Sequence, residues 1–433
     1  MTVRGLLILA LAAWCFSAAG CVTVLPPVPA AIVPQRAEIS AIPSPLSVES
    51  AVAVALQNDP LLRATRRRVS VAYWRKVQRS LPPNPTLAAS ADPTEWVVKL
   101  TAELTSTFDI GGRRQHLVDA AQSREEQAAI QVVARGMDVM KEVRLAFAEI
   151  SSTTVRENLT QQKMTLIADL HDRARRQQQA GELSDVALLA IEEKLQRTKA
   201  DIADVTIERR RAEARLNRLL GRSPEAPISI VAFDGTDFLL VTHDSGDYLK
   251  LGLSRRPELL LLAARIREHQ PLLALAEVSW IPRIEAGPLI TKPGENEVIT
   301  GGGAVSITLP IFDHGQARRA IQTSTIQSLE EELLAAEAQV ILDVHLAVQD
   351  FRHARSRAQL RRELAKIAEQ RHGIAQKAVI LGVGSEATVL EQGIDHIDAM
   401  VLMAEAQRDI WIAEATLLAA VGDCDDTLWG EVR

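Results

Sequence analysis

The chain has 433 residues, enough for roughly two or three ordinary domains, yet only 3% of them are aromatic, too few for a conventional globular core. The net charge of −6 is mild and mixed in sign, so no nucleic-acid footprint stands out. Abundant Ala, Leu, Glu, Arg and Gln favour long helices.

Residues 1–20 read as a secretory signal, with Arg4 as the positive region and Leu6 to Phe16 as the apolar core. Ser17-Ala18-Ala19-Gly20-Cys21 resembles a bacterial lipobox that would leave Cys21 as the lipidated, palmitate-bearing first residue, with Ala18 where such boxes more often carry Leu. Ordinary cleavage after small residues is the other reading. Val22 in place of Asp after the cysteine favours outer-membrane sorting by resemblance to other lipoproteins. Cys15 leaves with the signal, and an acylated Cys21 leaves Cys424 unpaired, so no disulfide is predicted. No later segment offers the ~18 uninterrupted apolar residues of a membrane-spanning helix, so any crossing must use strands.

Residues 21–46 are rich in Pro, Ala and Val and read as an extended tether. A first repeat follows over 47–222. Ser47 suits a helix start, Asn58-Asp59-Pro60 breaks that helix, and a second runs to about Ser80. Thr86 to Ala91 is a predicted strand, Asp92-Pro93 a turn, and about Glu95 to Asp109 the next strand. The first long helix spans about Arg113 to Gln179, with Ile130, Val133, Met137, Met140 and Phe147 at three-four spacing. Gly181 ends it and Ser184 caps the return helix, whose seam is Leu195, Thr198, Ile202, Val205, Arg209, Ala212, Leu216 and Leu219.

An irregular linker covers 223–246, and the second repeat, 247–423, follows the same scheme before a tail at 424–433. A short helix near Tyr248 to Leu253 breaks at Arg256-Pro257, and another ends near Trp280-Ile281-Pro282. Strands are predicted over about Arg283 to Ile290 and Val298 to Leu309, with an outer loop at Lys292 to Asn296. A second long helix, with Ile326, Leu329, Leu333, Ala336 and Val340 inward, reverses at Gly382-Val383-Gly384. At about 1.5 Å per residue each long helix would reach on the order of 100 Å.

The halves align at one offset. Phe108 pairs with Leu309 (309 − 108 = 201), Gly181 with Gly382 (382 − 181 = 201), and Gly221 with Gly422 (422 − 221 = 201). In both, an alternating strand runs through a break directly into the long helix: Gly111 and Gly112 in Asp109-Ile110-Gly111-Gly112-Arg113-Arg114, and Pro310 and Asp313 in Leu309-Pro310-Ile311-Phe312-Asp313.

Four strands cannot close a barrel, and open edges are costly, above all in lipid. Val305, Ile307 and Leu309 are expected to face lipid, and Ser306 and Thr308 a polar lumen. Two copies would give about eight strands, a bore side chains fill; three would give about twelve, wide enough for water. The alternative is a small soluble sheet.

The duplication, the two junctions and the two Gly-Ser reversals resemble the TolC-type outer membrane factors, and the resemblance covers nearly the whole mature chain. It implies a mainly α fold with a small β part. Duplicated strand hairpins and long helical hairpins would assemble into a trimeric, twelve-stranded β-barrel continued by a periplasmic α-helical barrel. The function implied is a passive exit duct, for drugs or metal cations, of a tripartite efflux pump. Its partners would be two further copies in a homotrimer, a periplasmic adaptor (membrane fusion) protein, a proton-driven inner-membrane RND pump and outer-membrane lipid. The Gly-Gly-Arg-Arg junction and Ile311-Phe312-Asp313 are also similar to the metal-exporting, CzcC-like branch.

By that resemblance Gly181, Ser184, Gly382, Gly384 and Ser385 form the tip that meets the adaptor; a plain helix-helix turn needs the same residue types. Glu391, Asp395 and Asp398, four and three apart, share one helix face. Repeated round a trimer axis they would form acidic rings that favour cations; the other reading is a solvated outer face. Glu391 matches an acid the family often places at a closed tip, whereas Thr388 departs from the second acid often found there. His314 and His396 read as ordinary polar residues, and no Cys/His spacing predicts a metal site. Trp96 and Trp280 suit either membrane interfaces or packing at element ends. No catalytic arrangement or cofactor motif appears. Two other functions stay open: an exit duct for type I protein secretion, and a non-channel coiled-coil envelope lipoprotein.

Overall fold

The computed structural model describes residues 44–94, 97–231, 245–293 and 298–423. The predicted signal, Cys21, the tether before residue 44, Trp96, most of the outer loop at 292–296, the centre of the linker and the tail lie outside the described residues.

The chain opens with α1 (Val48–Asn58) and α2 (Pro60–Ser80), then β1 (Thr86–Thr94) and β2 (Val97–Phe108). A helical hairpin follows, α3 (Arg113–Gln179) and α4 (Asp185–Leu219). The series then repeats as α5 (Ser245–Arg255), α6 (Pro257–Glu277), a 3-10 turn (Val278–Trp280), β3 (Arg283–Lys292), β4 (Thr300–Thr308), α7 (Gln316–Ile380) and α8 (Glu386–Ala420). The return helices α4 and α8 have 35 residues each. The long helices α3 and α7 have 67 and 65. Their ends keep the offset of 201, but α7 begins 203 residues after α3, which is why it is two residues shorter. Among the described residues no helix is long and apolar enough to cross a membrane.

Ser47 caps α1 through a reciprocal bond pair with Ser50. Asp59 caps α2, accepting from the Leu62 N–H at 2.9 Å, while Pro60 takes the first helical position, where a missing N–H costs nothing. The predicted inward positions of α3 are all buried, from Ile130 to Phe147, and all but Ile130 lie in a core shared with α1 and α4. Along α4 the seam buries Thr198, Val205, Ala212, Leu216 and Leu219, while Arg209 turns to Glu157 at 2.7 Å. A second core joins α5, α7 and α8 around Phe351 and Leu417. Helix α3 also packs on α2, α6 and α8, so it ties the two repeats together.

The four strands form one antiparallel sheet in the order β1-β2-β3-β4, which leaves β1 and β4 as open edges. Asp92 and Pro93 do not turn the chain, as the sequence predicts, but continue β1 opposite Lys99 and Val98. An edge strand tolerates a proline on the side where no neighbour needs its missing N–H, and Asp92 stands directly across from a lysine. The register sorts the side chains by face. Phe108, Ile284 and Ile307 stand abreast on one face, together with Ala286 and Val305 and the pair Leu87 and Leu104. The other face carries Thr107, Glu285 and Ser306, with Thr107 Oγ1 donating to Glu285 Oε1 at 3.4 Å.

Candidate functional site

Three zones follow from this frame: the two-faced sheet, the junctions beneath it and the hairpin tips. At the sheet, Val305 and Ile307 are exposed on the apolar face, and Leu309 falls just past the end of β4. Both faces of so thin a layer are bare in one chain, so the alternation serves surroundings that differ between its two sides.

At the first junction, the cap of α3 comes from a residue earlier than the glycines. Asp109 accepts the Arg113 and Arg114 N–H groups, both at 2.9 Å. Gly111 and Gly112 carry the chain from strand to helix; a Cβ on Gly111 would lie 3.2 Å from Ile281 Cδ1. Arg113 donates to the carbonyl oxygens of Ile281 and Val278, pinning the first junction to the turn before β3. At the second junction, Asp313 accepts from the Gly315 N–H at 3.0 Å and from Arg318 at 2.9 Å. Those two bonds, the backbone one foremost, hold its carboxyl below the ordinary range. Pro310 is half-buried, while Phe312 (90% exposed), Ile311, Ile110 and Trp280 present apolar surface at this level. An apolar collar at the base of a sheet with one apolar face suits a membrane boundary.

At the tips, Gly181 and Gly382 adopt positive φ (76° and 74°), and no atom lies near where their Cβ would stand. The Glu182 N–H reaches back to the Gln177 carbonyl, and the Val383 N–H to that of Ala378, so both turns satisfy the last helical carbonyls. Ser184 Oγ accepts from the Ala187 N–H at 3.3 Å, and Ser385 Oγ from the Thr388 N–H at 3.1 Å. Gly384 is needed for closeness, since a Cβ there would lie 2.9 Å from that of Ala378. Ile380, Leu381 and Val383 at one tip, and Val186 and Leu189 at the other, are exposed.

The acidic row does not behave as a unit. Glu391 and Asp395 are exposed, but Asp398 is held by Lys163 of α3 at 2.7 Å. Thr388 is spent on the cap, its hydroxyl 3.0 Å from that of Ser385. Glu386 pairs with Arg173 of α3. The sequence reading missed Arg113, Lys163, Arg173 and Glu386, whose partners lie more than a hundred residues away and leave no local signal. His396 lies parallel to His372 of α7, ring centroids 6.3 Å apart. His314 donates its backbone N–H to Gln316. Among the described residues no group of three or more His, Cys, Asp or Glu is placed to hold a metal ion.

Comparison with known proteins agrees with this geometry. The family model described as outer membrane efflux protein matches residues 51–222 and 249–423. No curated protein matches the sequence. Among solved structures, the Campylobacter jejuni CmeC outer membrane channel is similar with a TM-score of 0.74 at 14% identity, over 89% of this chain and 89% of that one. The outer membrane protein VceC from Vibrio cholerae gives 0.70 at 17% identity, over 87% and 96%. The open state of the Neisseria gonorrhoeae MtrE outer membrane channel gives 0.66 at 16%, over 87% and 88%. At these identities the likeness to the solved structures is one of fold; the family match reaches further, because it covers both repeats. The duplicated chain, with its two-faced sheet set on long helical hairpins, belongs to the outer membrane efflux protein family and is a TolC-like outer membrane factor, a channel protein and not an enzyme.

Proposed function

We propose that three copies of this chain close one tube, with β4 of each pairing to β1 of the next, and that the tube is the passive exit duct of a tripartite efflux pump. The observation that carries this reading is the four-stranded sheet with two open edges, one apolar face and one polar face. In hydrocarbon an unpaired edge costs several kcal/mol per orphan group, roughly, so identical edges must seal one another. Three copies supply about twelve strands, a bore wide enough for water. The helices then extend on the order of 100 Å toward the inner membrane. A passive duct supplies no energy of its own; in this reading a proton-driven inner-membrane partner supplies it.

The exposed Ile380, Leu381, Val383, Val186 and Leu189 suit docking of a periplasmic adaptor at the tips, because apolar side chains clustered at an exposed end are a feature of binding surfaces. Glu391 and Asp395 are free to ring the axis and favour cations, whereas Asp398 is already balanced by Lys163. The junction arginine Arg113 is occupied in holding β3, and in this reading selection of drugs or metal cations falls mainly to the pump. Cys21 would anchor the chain by an acyl group.

The test is the mass of the detergent-solubilised particle together with conductance in planar bilayers. A trimeric mass and large, weakly selective pores are expected. A monomer that needs no detergent, or a trimer silent under every condition that opens a gate, would end the reading.

A further inference from the structure

Helix α2 carries seven cations and no acid over residues 60–80. Three of them, Arg68, Arg75 and Arg79, are seven and four residues apart, which keeps them on one side of the helix. That side borders an open groove of about 830 Å³ between α2, α3 and α6. Arg124 of α3 and Glu268 of α6 also line it, so four arginines meet one carboxylate. Glu268 is already taken, accepting from Arg124 at 2.6 Å and from Gln127 at 2.7 Å. Arg68, Arg75 and Arg79 are exposed and, among the described residues, have no ion-pair or hydrogen-bond partner. Lys76, next to Arg75, differs in being held by Glu125 of α3 at 2.5 Å.

The floor of the groove is apolar, with Leu117, Ala120 and Ala121 of α3 and Leu272 of α6. Guanidinium groups beside such a floor fit an amphiphile with an anionic head, because arginine grips phosphate oxygens in pairs while the floor accepts methylene groups. The volume is that of a small-molecule site and far exceeds what a lone ion fills. The walls pack on one another within one chain, α2 on α3 and α3 on α6, so the groove is complete in a single copy.

Height along the helices selects the amphiphile. Arg79 and Arg75 stand 80 − 79 = 1 and 80 − 75 = 5 residues from the sheet end of α2. Leu117 is 117 − 113 = 4 residues from the sheet end of α3, and Leu272 is 277 − 272 = 5 from that of α6. At about 1.5 Å per residue, all four lie within about 8 Å of the helix ends that meet the sheet. The apolar collar of Ile110, Trp280, Ile311 and Phe312 stands at that level, where hydrocarbon would give way to headgroups, and a headgroup layer is about 5–8 Å deep. Arg68 and Arg124 are 80 − 68 = 12 and 124 − 113 = 11 residues in, about 16–18 Å down and below that layer.

We infer that the upper end of this groove holds one anionic phospholipid of the surrounding leaflet, its phosphate between Arg75 and Arg79 and its glycerol and first methylenes against Leu117 and Leu272. The inference rests on the membrane-spanning reading above, which puts the collar at the bilayer surface. Basic pockets between helices at a membrane surface are a general means of holding anionic headgroups. Here the site would fix the depth at which the helices leave the membrane.

Native mass spectrometry of the full chain in a neutral detergent tests it, with phosphatidylglycerol titrated against phosphatidylcholine. One phosphatidylglycerol per chain is expected, bound about tenfold or more tightly than the zwitterionic lipid. Arg75→Gln together with Arg79→Gln is expected to weaken that binding by about tenfold or more, with helical circular dichroism unchanged. Arg68→Gln is expected to weaken it by about twofold or less, because seven residues of helix separate it from Arg75, about 10 Å and so about one Debye length in 0.1 M salt. Equal binding of the two lipids, a double variant that binds like wild type, or an equal loss in Arg68→Gln would overturn the site. Displacement of the lipid by excess inorganic phosphate would overturn it too, by reducing it to a plain anion site. The two readings fail separately. A monomeric, non-conducting particle removes the duct, and with it the membrane boundary this site needs, whereas a conducting trimer without the lipid preference removes this site alone.

Discussion

Replacing the glycine that opens each long helix by alanine separates backbone strain from packing, because the two sites share a conformation and differ in surroundings. Gly112 has φ 64° and Gly315 φ 91°, both in the left-handed region. That conformation costs alanine about 1–2 kcal/mol, offset by about 0.4–1 kcal/mol from the stiffer unfolded chain. At Gly112 nothing lies within 4 Å of the added Cβ, so Gly112→Ala should cost about 1 kcal/mol. At Gly315 the Cβ would stand 2.4 Å from the Ala276 carbonyl oxygen and 2.8 Å from Ser279 Cβ. The first contact is with backbone at the end of α6, which cannot swing aside, so overpacking of about 1–3 kcal/mol adds to the strain. Gly315→Ala should therefore cost about 2–4 kcal/mol and shift the start of α7 beneath the edge strand β4. The assay is thermal unfolding of both variants in the same detergent, followed by circular dichroism, with particle mass recorded below the transition. Equal losses at the two sites, or a larger loss at Gly112, would refute the packing argument.

Asp59 caps α2 and is paired with Arg135 at 3.2 Å, its side chain only 4% exposed; Asp59→Ala removes the cap and one of the two carboxylates on Arg135, leaving Glu142 at 3.3 Å, and should lower stability by about 1–3 kcal/mol. Burial raises the Asp138 carboxyl, beyond what Arg135 returns, so its charged form is disfavoured in the folded state. Asp138 lies on an exposed part of α3, so solvent screens the penalty; Asp138→Asn should raise the unfolding midpoint at pH 7 only slightly, and the gain should vanish below the ordinary range, about pH 3.9. Cys21→Ser should abolish metabolic labelling with palmitate, and unchanged labelling would remove the lipobox reading.

Much of this architecture is legible in local pattern. The two-residue alternation of Val305 to Thr308 and the three-four spacing from Ile130 to Phe147 each report a face that must be covered. The reversals at Gly181 and Gly382 are readable because a left-handed residue followed by a serine cap is a short-range requirement, met within a few bonds. The proposed closure by several copies rests on the same strand count. Asp92-Pro93 reads as a turn in the sequence because a proline is compatible with either a turn or an edge strand, and only the neighbour, or its lack, decides.

What the sequence settled by itself is therefore periodic or punctual: the repeat, the strand and helix periods, the turns. The tertiary structure alone decided which residues meet across the repeats. It set Phe108, Ile284 and Ile307 on one face, tied Arg113 to the turn before β3, and turned Asp398 from a member of an acidic row into the partner of Lys163. The reason is physical. Helices and turns are fixed by bonds between residues about five apart or fewer, whereas Lys163 and Asp398 lie 235 positions apart and are neighbours only because α3 and α8 pack side by side.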